Sequence, residues 1–171
     1  MTDSLHAELD LTVSRIIKAP RSVVWNAWAD AANFKQWWVP APEVCRVRDM
    51  DLRPGGAFYT EISQDGIEFG PHITGCFLAV DELERIVFTD ALVADWRPAE
   101  ASFVTAVITM KDHPDGTEYT ATAMHRNISD RDQHEQLGFH DGWGTVTRQL
   151  AELLESGGSE ADRGVARRGR G

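Results

Sequence analysis

Two cysteines in 171 residues, Cys45 and Cys76, neither in a C-x-x-C pair, leave nothing from which to build a disulfide framework or a thiolate zinc site. Both fall in strand-like stretches and read as buried free thiols. No run approaches the roughly 18 consecutive apolar residues of a membrane span, and the opening MTDSLHAELD lacks the basic and apolar regions of a signal peptide. The expectation is a cytoplasmic chain with no membrane insertion. Positive charge is also scarce: the formal net charge of -10 repels nucleic acid and anionic lipid. There is no G-x-S-x-G elbow, no P-loop and no G-x-G-x-x-G after a strand, so serine hydrolysis, nucleotide hydrolysis and dinucleotide redox chemistry have no support. "HEQLGFH" places His134 and His140 six apart, where a zinc-protease helix needs them four apart on one face. No metal and no cofactor are expected, and no catalytic residue is identified.

What is present fits one globular domain, with 42 % hydrophobic and 26 % charged residues. "LDLTVSRIIKAP" from Leu9 alternates as a half-buried strand does, closed by Pro20. Val24, Trp25 and Trp28 follow at helical spacing, and Phe34, Trp37 and Trp38 repeat the pattern after a break at Asp30, predicting two short helices. Pro40 and Pro42 stop the second. Alternating stretches then run from Val44 to Leu52, Gly56 to Ser63, Glu68 to Val80, Arg85 to Leu92, Ser102 to Lys111 and Thr117 to Arg126. The turns between them are rich in Gly, Pro and Asp, as an antiparallel meander requires. The glycines of "RPGG" suit a tight hairpin; a second reading has Arg53 meeting an acidic ligand at a pocket mouth.

From Asp130 to about Glu155 the chain reads as one long amphipathic helix, with Phe139, Trp143, Val146, Leu150 and Leu153 in a narrow apolar stripe. Gly138, Gly142 and Gly144 lie in its first half, where each costs about 1 kcal/mol against alanine. Close approach of another backbone at Gly142 is the preferred compensation, and a ligand-filled recess beside Trp143 is the other. Residues 1–155 are assigned to one ligand-binding domain. Residues 156–171 form a Gly/Arg tail, with four arginines and few apolar residues, expected to be disordered.

These elements allow few packings: a sheet curled around a long helix, with a cavity between them. The ordered motifs "AP..VW.AW.D", "F..WW.P", "DLRPGG.F", "TG.F..VD....IVFTDAL" and "GF..GW....QLAELL" resemble the START-like, or SRPBCC, helix-grip superfamily typified by the major birch pollen allergen. Within it the chain is similar to the branch named for the activator of the heat-shock-protein-90 ATPase. The resemblance covers Leu9 to Leu154 and implies an α+β fold, with a curved antiparallel sheet of six to seven strands wrapped around the C-terminal helix. It also implies a pocket for a hydrophobic or amphipathic molecule. Members include polyketide cyclases, lipid carriers and a stress-response co-chaperone domain, so fold alone does not choose among them.

The candidate pocket residues follow from side-chain placement. One of Trp37 and Trp38 should anchor the core and the other cap the cavity, because adjacent helical residues point about 100° apart. Tyr119, Ala121, Ala123 and His125 share one strand face, whose small alanines suit a cavity wall. His72 is a similar strand histidine, and Asp90 stands among apolar neighbours that oppose its ionisation. Tyr59, Phe139, Gly142 and Trp143 complete the set. Three functions follow: carriage or sensing of a small hydrophobic or aromatic ligand, which is favoured; acid/base catalysis of the cyclase kind; and a co-chaperone-like interaction module. A homodimer is left open, and a chaperone partner is not favoured because only one domain is present.

Overall fold

The computed structural model describes residues 8–167, and of 157–167 only the backbone. Strand β1 (Asp10–Ile17) is followed by helices α1 (Arg21–Ala29) and α2 (Ala31–Phe34). Then come β2 (Val44–Met50), β3 (Ala57–Ser63), β4 (Gly70–Asp81) and β5 (Arg85–Thr89). A small ribbon of β6 (Leu92–Val93) and β7 (Arg97–Pro98) precedes β8 (Thr105–His113) and β9 (Gly116–Met124). Helices α3 (Ile128–Gln136) and α4 (Phe139–Arg167) end the described chain. Of the expected Gly/Arg tail, the backbone of 156–167 continues α4, and 168–171 lie outside the described residues.

Seven strands form one antiparallel sheet in the order β1-β9-β8-β5-β4-β3-β2. Its curl has a local cause. Register shifts at Val47/Asp49, Thr60/Glu61 and Phe77/Ala79 insert irregularities into three neighbouring ladders, and such bulges bend a strand and raise its twist. Helix α4 packs against β1, α1 and α3, which makes this the expected α+β helix-grip arrangement. Among the described residues no helix is long and apolar enough to cross a membrane.

Two expectations about helices need correcting. The second short helix does not reach Trp37: α2 is a single turn, capped by the Asp30 carboxylate, which accepts the N–H groups of Ala32 (2.8 Å) and Asn33 (3.4 Å). From Gln36 the bonds tighten to the third residue back, Gln36 to Asn33 and Trp37 to Phe34. Helical spacing of Phe34, Trp37 and Trp38 is satisfied equally by this turn. The open backbone beyond it is held from α4. Gln149 donates to the carbonyls of Trp37 (3.1 Å) and Val39 (2.8 Å) and accepts the N–H of Ala41 (2.8 Å).

The long C-terminal helix is in fact two. Gly138 adopts φ +95°, a left-handed conformation that favours glycine and ends α3, after Leu137 closes its last bond to Gln133. The apolar stripe belongs to α4 alone; α3 has no buried residue. In "RPGG", a Cβ on Gly56 would lie 1.8 Å from the Asp51 carbonyl oxygen, and Arg53 pairs with Asp51 at 2.6 Å. The hairpin reading of that loop is the one the geometry carries.

Candidate functional site

The interior of the molecule is aromatic at one end and hollow at the other. Around Trp28, fully buried, stand Phe34 at 5.0 Å, Trp38 at 5.2 Å and Trp37 at 5.4 Å between ring centroids. The indole of Trp28 donates to the Tyr119 hydroxyl (3.1 Å), and that of Trp37 to the Ala27 carbonyl (3.1 Å). Trp38 differs. The residue is only 7 % exposed, yet its Nε1 is buried with no hydrogen-bond partner among the described residues.

Beyond Trp38 lies a cavity of about 370 Å³, within the range of small-molecule sites. Its apolar wall is made by Trp38, Phe103, Val104, Phe139, Trp143 and Val146. Three polar side chains interrupt that wall: His72 from β4, Asp90 after β5, and His134 from α3. The α3–α4 junction supplies Leu137, exposed, and Gly138. Trp143 bridges the rings, 5.2 Å from Phe139 and 6.4 Å from Trp38.

Each polar group is positioned by a nameable contact. The Asp90 carboxylate accepts the N–H groups of Phe103 (2.8 Å) and Val104 (3.0 Å), which pins the start of β8 to the end of β5 and delivers both apolar side chains to the cavity. It does not stand alone among apolar groups, as the sequence suggests. His72 Nδ1 lies 3.2 Å from the Thr60 hydroxyl. His134 Nδ1 lies 2.8 Å from His125 Nε2, and His125 Nδ1 lies 2.8 Å from the Leu9 carbonyl oxygen. Desolvation, then the neighbouring His125, pushes the pKa of His134 down to about 4, so the ring is neutral at pH 7.

Of the ten residues expected here, the structure brings six together: Trp38, His72, Asp90, Phe139, Gly142 and Trp143. Four lie elsewhere. Trp37 is the core anchor of the tryptophan pair, and Trp38 is the one that faces the cavity. Tyr119 is buried beneath α1, where burial raises the pKa of its hydroxyl despite the Trp28 bond; Ala121 and Ala123 pack in the core as well. Their side chains pack into the core and do not line the cavity. Tyr59 points to the opposite side of β3, where its hydroxyl accepts the Ala94 N–H (3.1 Å). His125 stands behind His134 and reaches the cavity only through it.

At Gly142 the preferred expectation fails. A Cβ built there meets nothing within 4 Å, so no backbone approaches, and the residue lines the cavity instead. His134, Phe103, Val104 and Val146 are cavity residues that sequence reasoning missed. No local pattern marks His134, since its partner His125 lies beyond a helix start and is itself fixed by Leu9, 116 positions away. Both cysteines are buried free thiols, and burial pushes Cys45 up to about 11. Among the described residues no group of three or more His, Cys, Asp or Glu side chains is placed to hold a metal ion.

Solved structures share this architecture. Protein NE0264 from Nitrosomonas europaea is 42 % identical, with a TM-score of 0.82 over 91 % of this chain and 99 % of that one. Protein Ms6760 from Mycobacterium smegmatis is 27 % identical, with a TM-score of 0.72 over 86 % and 91 %. An AHSA1-like protein from Aeromonas hydrophila, 20 % identical with a TM-score of 0.67 over 88 % and 94 %, shows the same fold. No curated protein matches the sequence. The family profile described as Activator of Hsp90 ATPase homolog 1-like protein matches residues 18–155, which takes in every strand of the sheet except β1, the aromatic interior and the cavity, and the chain belongs to that family.

Proposed function

We propose that the protein binds a small aromatic or amphipathic molecule in the cavity between the α3–α4 junction and the sheet. The observation that carries this reading is the cavity itself: about 370 Å³, walled mainly by aromatic and aliphatic side chains with three polar groups among them. A site of that composition gains affinity from apolar burial and orientation from its few polar atoms. The space beside Gly142 and the unpartnered Trp38 Nε1 support the same reading. Native mass spectrometry of the purified chain, with tryptophan quenching by a panel of hydrophobic compounds, tests it. Binding should be lost in Gly142→Leu, whose side chain enters the cavity. Retention of full affinity by that variant would place the ligand elsewhere.

Acid/base catalysis of the cyclase kind has one observation in its favour, the contact between His125 and His134 at the cavity wall. A co-chaperone role rests on the family's name alone.

A further inference from the structure

The histidine pair fixes what the cavity can recognise. A backbone carbonyl only accepts hydrogen bonds, so when His125 carries a single ring hydrogen, the 2.8 Å contact with Leu9 places it on Nδ1. Its Nε2 then carries a lone pair and must accept. The atom opposite it at 2.8 Å is His134 Nδ1, which therefore carries the hydrogen of that ring. One consequence remains for neutral His134: its Nε2 is a bare lone pair. That atom has no hydrogen-bond partner among the described residues, on a ring that lines the cavity beside Phe103 (4.8 Å) and Phe139 (5.1 Å).

Resting on the pocket reading above, we infer that His134 is the polar anchor of the site, and that its relay through His125 to the Leu9 carbonyl selects aromatic ligands with a free hydroxyl over their O-alkylated counterparts. The hydroxyl donates to Nε2 while the ring system lies among Phe103, Phe139 and Trp143. An ether in the same place brings a second acceptor against a lone pair and gains no hydrogen bond. His125 acts as a positioning residue, since it touches the ligand only through the tautomer it imposes.

Two measurements decide this. Long-range proton–nitrogen spectra of histidine-labelled protein should show both His125 and His134 with hydrogen on Nδ1; hydrogen on Nε2 of neutral His134 would overturn the inference without any mutation. Titrations with 2-naphthol and 2-methoxynaphthalene should then give about tenfold tighter binding of the naphthol, the scale of one net hydrogen bond. In His134→Phe, with its fold checked by thermal melting, the two affinities should come within about twofold of each other. Equal affinities in the unmodified protein, or a preference that survives in His134→Phe, would sink the anchor but leave the pocket reading standing. Failure of both compounds to bind would overturn both.

Discussion

Trp37 and Trp38 are neighbours in sequence and belong to different parts of the molecule. Trp37 closes its indole N–H onto Ala27 and packs among Trp28 and Phe34, whereas Trp38 leaves its N–H unpartnered and turns its ring to the cavity. The same contrast runs through the whole interior. At the α1–α2 end the rings of Trp28, Phe34, Trp37 and Trp38 stand 4.8 to 5.7 Å apart, each buried. At the α3–α4 end, Phe103, Phe139 and Trp143 surround open space and are joined by three polar groups. One end is built for stability, and the other gives up packing for a site.

The largest test of that division is truncation. Trp28→Ala should destabilise the fold by about 3–5 kcal/mol in urea denaturation, because it leaves a cavity at the centre of the ring cluster. Trp143→Ala, on a side chain that borders space already open, should cost less than about half as much. Comparable losses at both sites would erase the distinction between a packed end and a hollow one.

Next in size is a pH effect confined to the hollow end. In the folded protein the pKa of His134 is about 4, against an ordinary value of 6.5, so unfolding binds a proton at pH values between the two. This contribution to stability is fully present above about pH 6.5 and is lost as the pH falls toward about 4. Below that it changes no further. The loss should amount to about 1–3 kcal/mol once solvent screening of the half-buried ring is allowed for. Denaturation midpoints measured across that window should drop in the unmodified protein and stay flatter in His134→Phe. A parallel drop in the variant would assign the effect to other groups, with His72, whose pKa desolvation also lowers, as the first to examine.

The division explains what was legible in the sequence. Strands were readable because β8 and β9 bury alternate residues and turn on Pro, Asp and Gly, a short-range code. The α4 stripe was readable for the same reason. The split at Gly138 was not, since α3 buries nothing and therefore imposes no period to break. At the site, the ring-bearing residues of α4 and Trp38 could be named, because apolar side chains beside glycine and proline signal an interrupted core. His134 could not: its role arises from a contact across the α3 start with His125, itself set by a carbonyl on the far side of the sheet's β9–β1 ladder. Tyr119 and His125 share a strand face as expected, but α1 covers one and α3 the other, and alternation carries no information about what lies above a face.

The tryptophan pair itself gives a finer test. Trp37→Phe removes a donor and strands the buried Ala27 carbonyl, which should cost about 1–2 kcal/mol beyond the lost ring volume. Trp38→Phe removes a buried N–H that has no partner, so its stability should change by less than that. The two single variants share a chemistry, and only the fate of one N–H separates them. A larger loss at Trp38 would mean that its ring, and not Trp37, holds the loop before β2 in place.

The smallest expected change in stability falls at Gly142. A side chain there meets no atom within 4 Å of its Cβ, and glycine within a helix costs about 1 kcal/mol relative to alanine. Gly142→Leu should therefore leave the denaturation midpoint unchanged or raise stability by about 1 kcal/mol, while its side chain fills part of the cavity. Within the sheet the result would be opposite in sign: a Cβ on Gly75 would lie 2.4 Å from the Thr89 carbonyl oxygen, so even Gly75→Ala must displace backbone and lose stability. Urea denaturation of the two variants beside the unmodified chain decides the point. Destabilisation by Gly142→Leu would show that the space beside Trp143 closes in solution, and the hollow end would then be a second packed core.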